Sequence, residues 1–157
     1  MNADNLLRRL EAYVQEEIGA QSRALEFLEA QEQAIRDGDA GHIASCGSAV
    51  EAELRKVGER GRRREALLGE LGRLWALAPK TLTLSSICER AAPGSERLAR
   101  QTADLRKVVA AVTRSSRRLG TAARMHRGLV LEVIETVLAG GDELCLAAGG
   151  TLVDAEA

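Results

Sequence analysis

The sequence contains almost no aromatic residues: Tyr13, Phe27 and Trp75 make up 2% of its 157 residues. Sheet proteins build their cores from aromatic and β-branched residues, so this scarcity argues against a sandwich or barrel. Cysteine is also sparse. Cys46, Cys88 and Cys145 are odd in number and far apart, which gives neither the paired spacing of a zinc site nor a disulfide framework. Reduced, buried thiols are the expectation. Histidine occurs only at His42 and His126, and neither has a glutamate three residues before it, so the Glu-x-x-His template of di-iron bundles fails. The sequence also lacks a His-Glu-x-x-His pair, a Gly-x-x-x-x-Gly-Lys-Ser/Thr loop and a Gly-x-Gly-x-x-Gly turn after a strand. Nothing in it calls for an enzyme, a metal or a cofactor.

Neither sign of charge dominates. The formal net charge is −1, so no overall attraction to nucleic acid or anionic lipid is expected. No apolar run approaches the roughly 20 residues of a membrane span. The opening Met1-Asn-Ala-Asp-Asn-Leu-Leu-Arg-Arg9 lacks the basic-then-apolar order of a secretion signal. A cytoplasmic protein with no membrane insertion is expected.

What remains is leucine, valine, isoleucine and alanine at helical spacing. In the first segment Leu7, Leu10, Val14, Ile18, Leu25, Leu28 and Ile35 recur at intervals of three, four and seven, with Gln21 and Glu32 filling two slots. That heptad stripe predicts a helix over about 5–36. Asp37-Gly38-Asp39 then breaks the pattern: Gly38 suits a left-handed helix end and Asp39 suits the N-cap of the next helix. So short a link makes antiparallel neighbours. A second helix is predicted over about 40–76, with its seam at Ile43, Cys46/Gly47, Val50, Leu54, Val57, Gly61, Arg64, Leu68, Leu71 and Trp75. Its glycines each cost about 1 kcal/mol relative to alanine, which predicts a kink, a frayed section or close packing near Gly58 to Gly61. Ala78-Pro79 ends it. A short helix follows over about 84–91, capped by Thr83, Ser85 or Ser86, with Ser86 and Glu89 as a candidate capping box. The last long helix is predicted over about 95–139, with a stop at Gly140-Gly141 and a mobile tail from Asp142. The fold class is therefore all-α: an elongated antiparallel bundle of three long helices, with a short helix between the second and third.

Two basic clusters, Arg60-Gly-Arg-Arg-Arg64 and Arg114-Ser-Ser-Arg-Arg118, read as solvated, ion-paired faces. Glu59 and Glu65 flank the first, and no aromatic stacking residues accompany it. A different departure is more informative. Between Leu129 and Leu138, seven of ten residues are apolar, and on a helical wheel they span about 200° of arc. So wide a face touches more than one surface: the bundle, and beyond it a folded-back tail, a second copy of the chain or a client protein.

In order and spacing these pieces resemble the flagellar export chaperones of the FlgN family. The resemblance covers about Leu6 to Gly140 and includes the heptad helix, the turn Arg36-Asp-Gly-Asp39, Glu51 to Lys56 followed by Arg62 to Leu71, the segment Lys80-Thr-Leu-Thr-Leu-Ser-Ser-Ile-Cys88, and a long final helix. It implies a chaperone for hook–filament junction proteins, which covers a client's amphipathic C-terminal helix before export and delivers the client to the type III export apparatus. It also implies client binding by the last helix, which makes Leu119, Met125, Leu129, Val130, Val133, Ile134, Val137 and Leu138 the candidate client-binding residues. The competing expectation is a structural adaptor or dimeric scaffold in which the same face is a self-interface.

Overall fold

A computed structural model describes the backbone of residues 2–149 and the side chains as far as Val137. Helices α1 (Ala3–Asp37), α2 (Ala40–Arg55), α3 (Val57–Trp75), α4 (Leu84–Arg90) and α5 (Glu96–Gly149), with a 3₁₀ turn over Pro79–Thr81, account for nearly all of it, and no strand occurs among the described residues. The all-α expectation holds. The chain divides into two compact units, Met1–Arg117 and Arg118–Ala157.

In the first unit the local signals act as chemistry dictates. Gly38 takes φ +70°, and the N–H groups of Gly38 and Asp39 return to Ile35 and Ala34 to close α1. The Asp39 carboxylate accepts the His42 N–H at 2.9 Å and caps α2. At α4 the N-cap is Thr83, not Ser86. The Thr83 hydroxyl accepts the Ser86 N–H at 3.1 Å, and the Ser86 hydroxyl accepts the Thr83 N–H at 2.9 Å. This reciprocal box uses a serine where the sequence suggested Glu89, because a hydroxyl at the third helical position reaches back as well as a carboxylate does.

The core gathers Leu6, Leu10, Tyr13 and Val14 of α1, Leu67 and Leu71 of α3, Leu82 just before α4, Ile87 of α4 and Leu98 of α5. Leu6, Tyr13, Ala20 and Ala34 are buried yet lie outside the single stripe predicted for α1. The face is wider than one seam because α1 packs against more than one neighbour.

The helix predicted over 40–76 is two helices. The chain breaks at Lys56, two residues before Gly58. The seam also changes phase there: Leu54 and Val57, both predicted inward, are 61% and 47% exposed, while Glu53 is 8% exposed. A cluster of charged groups accounts for the shift. Glu53 faces Arg23 at 3.6 Å, Lys56 at 2.9 Å and Arg60 at 3.7 Å, and Arg60 also meets Glu17 at 2.9 Å. A carboxylate held this far from water requires partners, and turning Glu53 inward moves its neighbour Leu54 outward, while Val57 lies beyond the break at Lys56.

At its C-terminal end α5 departs from expectation as well. Its assigned helix passes Gly140-Gly141 and runs to Gly149. Glycine weakens a helix by about 1 kcal/mol per residue but does not forbid it. The remainder of the predicted tail, 150–157, lies outside the described residues.

Candidate functional site

The first unit carries a half-open groove of about 690 Å³ that the sequence did not reveal. Leu10 and Tyr13 of α1, Leu68 of α3, Leu82 and Leu84 around the start of α4, and Leu105 and Val109 of α5 make it apolar, and Glu17, Arg64, Glu65 and Lys80 add charge. Burial pushes the Tyr13 phenol up from its ordinary value, and the Glu17 carboxylate adds to the shift, so the phenol stays neutral at physiological pH. No histidine or cysteine lines the groove. Most of its lining is apolar, so apolar contact is the main interaction it offers. A sequence signal existed in the Thr-Leu-Thr-Leu segment, whose two leucines both turn into the groove, but a short irregular run carries no periodicity from which that could be read.

The basic cluster at Arg60 to Arg64 is committed largely to α1. Arg60 pairs with Glu17, and Arg63 with Glu16 at 2.7 Å. Arg9 and Glu70 add a third cross-pair at 2.6 Å. These contacts form a ladder along two antiparallel helices. The Arg60–Glu17 pair is largely shielded from water and the Arg63–Glu16 pair is open to it; water screens the exposed pairs, and the collective effect of the ladder is to fix register. The expected solvated, ion-paired face is what the structure contains. Among the described residues no group of histidine, cysteine and carboxylate side chains could hold a metal ion, and no helix is long and apolar enough to cross a membrane.

The second unit, taken by itself, carries most of the candidate residues singled out from the sequence. Met125, Leu129, Val130, Leu131, Val133, Ile134 and Val137 are all exposed, Val137 at 67% and Val130 at 43%. Leu119 is half-buried. The side chain of Leu138 lies outside the described residues. On α5 the positions Leu119, Ala123, His126, Val130, Val133 and Val137 alternate by four and three and so fall on one stripe. Leu129 and Met125 flank it on one side, Ile134 and Leu131 on the other. Leu131 is missing from the sequence-based candidates, although it belongs to the same exposed patch.

Comparison with known proteins finds no matching protein family, no matching curated protein and no matching solved structure.

Proposed function

We propose that the protein is a cytoplasmic type III export chaperone of the flagellar kind. On this reading it covers the amphipathic C-terminal helix of a hook–filament junction protein with the apolar face of α5 and hands the client to the export apparatus. The bent pair α2–α3 takes the place of the second long helix in a three-helix arrangement. The observation that supports the reading is the exposed patch from Met125 to Val137. Large apolar side chains concentrated on one exposed helix face are uncommon unless a partner covers them, and a face at helical spacing suits a helix. Covering apolar area contributes about 25 cal/mol per Å². Ordering a disordered client segment offsets part of that gain, leaving a complex that can release its cargo.

Calorimetry with a junction-protein C-terminal peptide tests the proposal. Binding with a negative heat-capacity change is expected. The combined change Val130→Ser, Val133→Ser and Val137→Ser removes binding while circular dichroism retains most of the helicity. Failure of every junction-protein peptide to bind the native chain overturns the reading.

A further inference from the structure

The groove beside Tyr13 lies wholly within the first unit, and it combines an apolar body with polar groups that lack partners. Tyr13 is only 7% exposed, yet its hydroxyl makes no hydrogen bond among the described residues. A buried hydroxyl without a partner is costly, and this residue lines the groove. Arg64 and Lys80 line it too, and neither side chain makes an ion pair or a hydrogen bond among the described residues. Arg64 stands near enough to Tyr13 for its charge to oppose the upward shift of the phenol. The carboxylates are less available. Glu17 accepts from Gln21 Nε2 at 2.8 Å and meets Arg60 Nε at 2.9 Å, so Glu65 is the uncommitted acid of the lining. Arg64 and Lys80 together outweigh it. The volume of about 690 Å³ falls within the range of about 300–1,000 Å³ that small-molecule sites occupy.

We propose that this groove binds a long-chain carboxylate, with the acyl chain against Leu68, Leu84, Leu105 and Val109 and the carboxylate beside the Tyr13 hydroxyl and the Arg64 guanidinium. The neutral phenol donates one hydrogen bond and the guanidinium donates others. Hydrogen bonds to an ionised acceptor are the stronger kind, and they give the Tyr13 hydroxyl the partner that the fold leaves out. Lys80, exposed on the same lining, adds a second positive charge. A cationic amphiphile would bring like charge against Arg64 and Lys80, and a neutral one would leave both unused. The charge balance thus selects an anion, and the apolar lining selects a chain. This inference does not depend on the export reading, which rests on the face of α5 beyond Arg118.

Titration calorimetry on the full chain tests the proposal, with decanoate as the probe and its alcohol and trimethylammonium counterparts of equal chain length as controls. Circular dichroism confirms that each variant stays helical. Decanoate is expected to bind one per chain, and both controls about tenfold more weakly. Octanoate binds more weakly than decanoate, because each methylene taken from a buried chain lowers affinity about fourfold. Arg64→Gln with Lys80→Gln, both at exposed positions, weakens decanoate about tenfold, the combined effect of two exposed cations, and leaves the alcohol unchanged. Tyr13→Phe weakens decanoate about threefold, as loss of one hydrogen bond does. The exposed face of α5 also attracts apolar chains, so the triple change Val130→Ser, Val133→Ser and Val137→Ser is the control for place, and it leaves decanoate affinity intact. Absence of decanoate binding up to about 1 mM, the weak end of measurable affinity, overturns the proposal. So does a trimethylammonium counterpart that binds as tightly as decanoate, a glutamine pair that leaves decanoate unaffected, or a triple serine variant that abolishes its binding. A chain that binds decanoate but no junction-protein peptide keeps this proposal and loses the export reading; the opposite result does the reverse.

Discussion

Four residues in the first unit occupy positions whose cost can be read from their surroundings. Ser115 is 1% exposed and its hydroxyl has no hydrogen-bond partner. An unsatisfied buried hydroxyl costs about 1–3 kcal/mol, so Ser115→Ala is expected to raise stability by about 1 kcal/mol in urea denaturation. Gly72 shows the opposite constraint. A Cβ there would lie 2.7 Å from the Leu77 carbonyl oxygen and 3.3 Å from the Pro79 ring, because the Leu77 N–H returns to the Gly72 carbonyl to close α3. Gly72→Ala should therefore cost about 1–3 kcal/mol in the same assay, as overpacking does, although alanine is the better helix former. Four residues on, Ala76 holds φ +52°, where glycine relieves about 1 kcal/mol of steric strain. Glu53 supplies a pH dependence. A hydrogen bond from the Lys56 ammonium is the largest influence holding its carboxyl below the ordinary value of 4.5, with the charges of Lys56 and Arg23 adding to it. The folded state thus binds this proton less readily than the unfolded state. The stability Glu53 contributes is complete above about pH 4.5 and is lost as pH falls toward its lower folded value. Glu53→Gln should flatten the decline of the melting temperature between about pH 5 and pH 3.

At the scale of elements, the places where the sequence could be read separate cleanly from those where it could not. Gly38, Asp39 and Pro79 marked boundaries that the structure keeps, because each acts through its own backbone or an immediate neighbour. The short helix over Leu84–Arg90 was legible for the same reason. The phase of α2–α3 was not. The hydrophobic pattern placed Leu54 and Val57 in the seam, and no local rule states that Glu53 turns inward to meet Arg23, Lys56 and Arg60. Two of those partners lie on other helices, so the information is tertiary. The groove beside Tyr13 was illegible on the same grounds, since residues far apart in sequence form its walls. This difference in phase can be measured. Leu54→Gln should change stability by no more than about 0.5 kcal/mol, as exposed substitutions do, whereas Leu71→Ala, at 0% exposure, should cost about 2–5 kcal/mol. A large loss at Leu54 would mean that the seam read from the sequence describes the folded chain after all.

Across the whole molecule, apolar residues fall into two populations with different roles. Those of the core, from Leu6 to Leu98, belong to the first unit and are nearly all sealed from water. Those from Met125 to Val137 belong to the second and are open to it. Composition could not separate the two groups, because a valine in a seam and a valine on a docking face are the same residue. The width of the apolar arc separated them, since a stripe that serves one neighbour is about 100° across and the final stretch doubles it. Stability and recognition should therefore respond to different substitutions. Val130→Ser, Val133→Ser and Val137→Ser together should leave the urea midpoint of the first unit unchanged within about 0.5 kcal/mol, as exposed sites do, yet remove whatever the face binds. Native-state hydrogen exchange can follow both in one experiment. Amides of α1 and α3 should keep their protection in the triple variant. Amides of α5 beyond Arg118 should gain protection in the native chain when a second copy or a client helix is present, and should gain none in the variant. If the three serines also lowered protection across α1 and α3, the patch would be part of the core that holds the first unit together, and its exposure would no longer argue for a partner.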